Sequence, residues 1–135
     1  MRVLVDTHVF LWIFGGLGNV SNDAREFLAD TVENEFFFST ASAWEISIKY
    51  GNGKLKLPDV PERFVPNRAA RAGFKILPIS LPHVLFVHNL PPVHKDPFDR
   101  LIVSQAQAEG LKILTADPIF TKYKVDVLNI LKFKI

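Results

Sequence analysis

Apolar residues recur along this chain in two alternating rhythms, short unbroken runs and longer stretches with a helical period. RVLV at residues 2–5 is a β-branched run ending at Asp6, which predicts a strand buried on both faces, and the chain turns helical after it. Ser21 is placed to cap NDAREFLADTVEN, where Ala24, Phe27, Leu28 and Val32 fall at helical spacing and acids populate the first turn. EFFFS at 35–39 predicts a second strand, and TASAWEISIKY a helix closed by Gly51-Asn52-Gly53. PERFVPNRAARAGF predicts a helix despite its prolines, followed by KILPIS at 75–80, a third strand kept short by Pro78. After the loop PPVHK, Asp96-Pro97 pairs an N-cap with proline at the first helical position, and FDRLIVSQAQAEG runs on to a terminating Gly110. LKILT at 111–115 is the fourth strand, a brief helical turn starts at Pro118, and VDVLNI is a candidate last strand. There is no internal repeat or low-complexity tract.

Strands alternating with helices predict an α/β fold, a three-layer α/β/α sandwich around a central parallel sheet of four to five strands. In such sheets, sites gather outside the carboxyl ends of the strands. With 135 residues, 48% of them hydrophobic, the chain has enough apolar surface for one domain spanning residues 1–135. The absence of cysteine excludes disulfides and thiolate zinc sites and fits a reducing cytoplasm. Asp6 and His8 interrupt the first apolar run, so Met1 is read as the mature start rather than the head of a signal segment. No run approaches the roughly 20 residues of a membrane span. A net charge of +2 is too small to announce nucleic-acid binding by itself, and the lysines at 112, 122, 124, 132 and 134 read equally well as a solvated surface.

Four acids stand out by position. Asp6 follows the first strand and Asp117 the fourth, at the same sheet edge. The helix holding Glu45 leaves that edge, and the helix holding Asp99 starts there. Each has an alternative reading: Asp6 and Asp117 as helix caps, Asp99 reaching back to the Asp96 amide in a capping-box-like arrangement, Glu45 as an exposed helix acid. Taken together they favour a cation, because two carboxylates about 5 Å apart repel by roughly 3 kcal/mol at an effective dielectric near 20. Oxygen-only ligands suit Mg2+ or Mn2+, which bind phosphate oxygens and turn bound water into a nucleophile.

VDTHVFLW, SAWEISIK, HKDPFDRLIVSQA and ILTAD resemble, in order, spacing and flanking residues, the acidic motifs of the PIN-domain family, specifically its VapC-type toxins, over nearly the whole chain. The resemblance implies a PIN-like fold and a Mg2+- or Mn2+-dependent endoribonuclease. It also implies a toxin with a cognate antitoxin, an RNA substrate and a homodimer, with Asp6, Glu45, Asp99 and Asp117 as catalytic, metal-binding acids. Asp96 is read as a helix cap supporting the site. Thr7 and Thr115 are candidates to orient a ligand or water, or else bond nearby backbone. Arg100 and His94 are candidates to contact RNA, Arg100 alternatively pairing with an acid, while His8 reads as structural or solvated. A homodimer is further suggested by the apolar excess in VFLWIF and around Leu85 and Phe86. A phosphoacceptor receiver module fits poorly, since KILPIS ends in no aspartate and ILTAD offers an acid where a lysine is needed. A catalytically silent interaction module is the remaining alternative, and the presence of all four acids argues against it.

Overall fold

In the computed structural model, which describes residues 1–15 and 20–134, five strands form one parallel sheet flanked by six helices. The elements run β1 (Arg2–Val5), α1 (Thr7–Gly15), α2 (Asn22–Ala29), β2 (Glu35–Ser39), α3 (Thr40–Gly51), α4 (Pro61–Ala72), β3 (Lys75–Leu77), α5 (Leu81–Phe86), α6 (Pro97–Glu109), β4 (Lys112–Thr115) and β5 (Val127–Asn129). The strand order is β3-β2-β1-β4-β5, with Leu4 in register with both Phe37 and Ile113. The chain thus lays strands outward from β1 on one side, then returns to β1's other edge with β4. That reversal creates a switch point between β1 and β4, where the loops above the carboxyl ends diverge and leave a crevice.

Alternation along each strand sorts the core into two faces. Val3, Val5, Phe36, Phe38 and Leu114 pack with α1, α2, α3 and α4 in a cluster rich in phenylalanine, in which Phe10 stacks on Phe38 at 4.1 Å between ring centroids. Leu4, Phe37 and Ile113 pack instead with Ile102, Val103 and Ala106 of α6, and with Phe120 and Tyr123. Both faces of the central strands are therefore dry, which is why those strands are nearly continuous apolar runs.

Several boundaries differ from the sequence expectation for local reasons. The helix begun by Ser21, whose Oγ accepts from the Ala24 amide, stops at Ala29 rather than continuing through residue 34. Asp30 is the cause: its carboxylate accepts from the Val32 and Glu33 amides and turns the chain, leaving Val32 91% exposed and outside the core. β3 ends before Pro78, and β5 is shortened because Asn129 caps a 3-10 turn over Ile130–Lys132. Helix α5 lies in a segment that the apolar period did not assign; the Ser80 amide donates to His83 Nδ1 at its start. The run VFLWIF does not supply an apolar excess, since Val9 and Phe10 are buried and Leu11, Trp12, Ile13 and Phe14 pack partly buried on the first cluster. Leu85 and Phe86 do face solvent, at 61% and 42% exposure. Among the described residues no helix is long and apolar enough to cross a membrane.

Candidate active site

The crevice above β1 and β4 is bordered by Asp6 and Asp117, while Glu45 and Asp99 come from α3 and α6. Asp6 follows β1 directly; its amide donates to the Leu114 carbonyl, extending the β1–β4 ladder and fixing the residue at the sheet edge. Its side chain is 1% exposed, with Oδ2 accepting from Thr115 Oγ1 at 2.8 Å and Oδ1 left without a partner. That is not the geometry of a cap. Thr115 Oγ1 also accepts from the Asp117 amide at 3.0 Å, so one hydroxyl ties Asp6 to the loop that carries Asp117. Asp117 itself is exposed and does cap, its Oδ1 accepting from the Ile119 amide at 3.0 Å at the start of the turn Pro118–Lys122. One carboxylate oxygen is engaged in that bond; a carboxylate has two. A cavity of about 300 Å³ opens here, lined by Asp6, His8, Trp12, Ala116, Asp117 and Leu131.

Glu45 lies on α3 and is 1% exposed, not a surface acid. Its Oε2 accepts from Lys49 Nζ at 2.6 Å, one helical turn on, while its Oε1 has no partner. Asp99 sits in the first turn of α6, 7% exposed. The Asp96 carboxylate accepts from the Phe98 and Asp99 amides and caps that helix, as its pairing with Pro97 predicted. Asp99 does not reach back to the Asp96 amide. Its Oδ2 instead meets His94 Nε2 at 2.8 Å.

Electrostatics show that these carboxylates share one environment. Burial pushes the Asp99 carboxyl up to about 7, reinforced by the charges of Asp6, Asp96 and Glu45 and opposed by the His94 hydrogen bond. Burial also raises Asp6, opposed chiefly by the Thr115 hydrogen bond and by the nearby His8, with the Glu45 charge adding to the rise. Lys49 is raised too, which for an ammonium favours the charged form: the hydrogen bond to Glu45 raises it, despite some desolvation, and the charges of Glu45, Asp96 and Asp99 add to it. A ring nitrogen of His94 and carboxylate oxygens of Asp99 and Asp117 lie within 4.8 Å of one another. Asp6 and Glu45 are not part of that group, but each keeps one buried carboxylate oxygen without a donor, and oxygen donors of this kind suit a divalent cation.

Two of the secondary candidates make hydrogen bonds inside the protein. Arg100 is half-buried on α6. Its guanidinium donates to the backbone carbonyls of Val87, Leu90, Pro91 and His94 and holds the loop before α6. Thr7 Oγ1 donates to Ser42 Oγ at 2.7 Å, joining α1 to α3. Lys49 and Ser42 were not singled out from sequence, although Glu45 and Lys49 are an i, i+4 pair and so carried a signal. The Ser42–Thr7 bond spans 35 residues and carried none.

Comparison with known proteins bears on the same residues. The PIN domain family matches residues 3–126. A stretch of 68 residues is 40% identical to Ribonuclease VapC16 of Mycobacterium tuberculosis, covering 50% of this chain and 46% of that protein, so the chain aligns with about half the length of this curated relative. Among solved structures, VapBC2 from Rickettsia felis bound to a DNA fragment from its promoter is similar at a TM-score of 0.73 and 19% identity, over 96% of this chain and 98% of the other. DNA-bound VapBC from Salmonella typhimurium gives 0.69 and 15%, over 96% and 98%. A toxin-antitoxin complex from Klebsiella pneumoniae gives 0.63 and 19%, over 98% and 99%. At these identities the structural matches carry the fold, and the acids stand on their own geometry.

Proposed function

Because the chain belongs to the PIN domain family, we propose that it is a Mg2+- or Mn2+-dependent endoribonuclease, the toxin of a toxin–antitoxin pair, acting in the cytoplasm. The observation that carries this reading is the meeting of Asp6, Glu45 and Asp99 in one buried field, with Asp117 tied to Asp6 through Thr115. Asp6, Glu45, Asp99 and Asp117 would hold the ion, the two unpartnered oxygens of Asp6 and Glu45 being the donors that most need a cation. When bound, the ion would supply a nucleophilic water at neutral pH and neutralise charge building on a phosphodiester.

The chain's own residues prepare that chemistry. Thr115 fixes the Asp6 carboxylate, and Asp96 fixes the backbone of Asp99 by capping α6. Lys49 balances part of the charge on Glu45. Burial of Asp6, Glu45 and Asp99 keeps bulk water from competing for their oxygens. An RNA substrate is supported by the relative named as a ribonuclease, and a cognate antitoxin by the VapBC and toxin-antitoxin pairs among the similar structures. A homodimer is supported by the exposed apolar residues Leu81, Val84, Leu85 and Phe86 along α5.

The test is cleavage of a structured RNA by the purified chain with Mg2+ or Mn2+ and with a chelator. Cleavage that requires the ion is expected, and equal cleavage in chelator would reject metal dependence. Light scattering at micromolar concentration is expected to give twice the chain mass; a monomer would remove the dimer.

A further inference from the structure

Four carboxylates alone carry little preference between Mg2+ and Mn2+, because both are oxygen-seeking ions. A ring nitrogen of His94 groups with the oxygens of Asp99 and Asp117. His94 lies in the loop before α6 with its side chain 26% exposed, and its Nε2 is 2.8 Å from Asp99 Oδ2. Donors on adjacent corners of an octahedral ion with bonds of about 2.1 Å stand about 3 Å apart, and donors on opposite corners about 4.2 Å. The His94–Asp99 spacing is that of neighbouring ligands. The ligand atoms of His94, Asp99 and Asp117 all lie within 4.8 Å of one another. A second observation points to the same place. Asp6 Oδ1 is buried without a partner, and Thr115 joins the Asp6 carboxylate to the loop that carries Asp117. Arg100 then has a role in the arrangement, since its bonds to the carbonyls of Pro91 and His94 hold the loop that presents the ring.

We propose that His94 is a nitrogen ligand of the ion site, which makes the site a mixed nitrogen–oxygen one that favours Mn2+ over Mg2+. This rests on the metal-dependent reading above. Imidazole suits transition ions, and hard Mg2+ gains least from replacing an oxygen by a nitrogen. On ligation a ring nitrogen presents its lone pair to the ion, and any proton it held passes to solvent.

The experiment is pulsed electron paramagnetic resonance on the metal-stripped full chain loaded with Mn2+, read for coupling to nitrogen-14. Alongside it, calorimetric titrations with Mn2+ and Mg2+ give the ratio of affinities. The parent is expected to show a directly bound imidazole nitrogen, and His94→Gln to lose it. In the same variant Mn2+ affinity should fall by about 10- to 100-fold while Mg2+ affinity changes much less. His88→Gln is the control, because His88 is exposed and outside the group of ligand atoms, and it should leave the signal intact. If the parent binds Mn2+ without a nitrogen coupling, or if the coupling survives in His94→Gln, His94 is not a ligand while the acidic site stands. If the parent binds neither ion, both readings fall.

Discussion

At the amino ends of the strands Glu35 stands between Arg2 and Lys75, whereas at the carboxyl ends Asp6 and Asp99 stand among other acids. Glu35 is exposed, its Oε2 accepts from Lys75 Nζ at 2.7 Å, and that hydrogen bond and charge hold its carboxyl below the usual range. Asp6 and Asp99 are buried, and their carboxyls are pushed up, by burial first and by neighbouring acids in addition. One sheet thus carries acids that favour its folded state at one end and acids that oppose it at the other. The difference identifies the carboxyl end as the place where folding tolerates a penalty that a bound cation would relieve.

Neutralising the acids one at a time breaks this comparison most directly. Replacing Asp6, Glu45, Asp99 or Asp117 by its amide is expected to lower ion-dependent RNA cleavage by about 100-fold or more, since outer-shell partners alone are worth 10- to 100-fold. Asp6→Asn and Asp99→Asn are expected to raise the thermal midpoint of the metal-free chain, by relief of repulsion of at most about 3 kcal/mol. Glu35→Gln, by contrast, should leave cleavage unchanged and slightly lower the midpoint, an effect that fades in high salt. Cleavage assays and thermal unfolding of the same variants check both signs. Amide variants that cleave like the parent would leave the acidic cluster without a catalytic role.

The pH dependence of the metal-free chain sharpens the comparison further. Asp99 keeps its proton in the folded state up to about 7 but loses it near 3.8 when unfolded. Between these values the folded state binds more protons than the unfolded one, so stability falls as pH rises, by on the order of a few kcal/mol. Glu35 has the opposite sign: its contribution is present above its unfolded value and is lost as pH falls through the lower folded one. Denaturant midpoints from pH 4 to 8 are expected to decline in chelator and to flatten with saturating Mn2+. A profile that rises through that window would contradict the Asp99 environment described here.

A smaller effect is expected at Lys49, whose side chain is 40% exposed. Lys49→Gln leaves Glu45 with no cation in the metal-free pocket, and should lower stability by about 1 kcal/mol, the size of a partly screened pair. Mn2+ should restore it and bind more tightly than to the parent, because a competing ammonium is gone. Calorimetry and thermal unfolding measure the two effects; Mn2+ binding that weakens would assign Lys49 to the ion's support rather than to its competition.

Much of this molecule was determined by local pattern. The continuous runs at β1, β2 and β4 required strands buried on both faces, and Ser21, Asp96 and the glycine at 110 set helix ends through hydrogen bonds within a few residues. The order of strands and helices in turn placed Asp6, Glu45, Asp99 and Asp117 at one edge, because parallel strands with crossovers must return to it. What the sequence left open was decided across distances that no local pattern spans. Asp6 could equally have capped a helix, and Thr115, 109 residues away, is what takes its carboxylate instead. Arg100 was legible as a charge, but that its guanidinium donates to the carbonyls of Val87, Leu90, Pro91 and His94 depends on where the loop before α6 lies in the fold. The apolar run VFLWIF was legible as hydrophobic but not as buried, since only the packing of α1 against β2 and α4 covers it. Alternation and capping act over a few residues and can be read along the chain. Which donor reaches a given carboxylate depends on how the layers close, and that is a property of the folded structure alone.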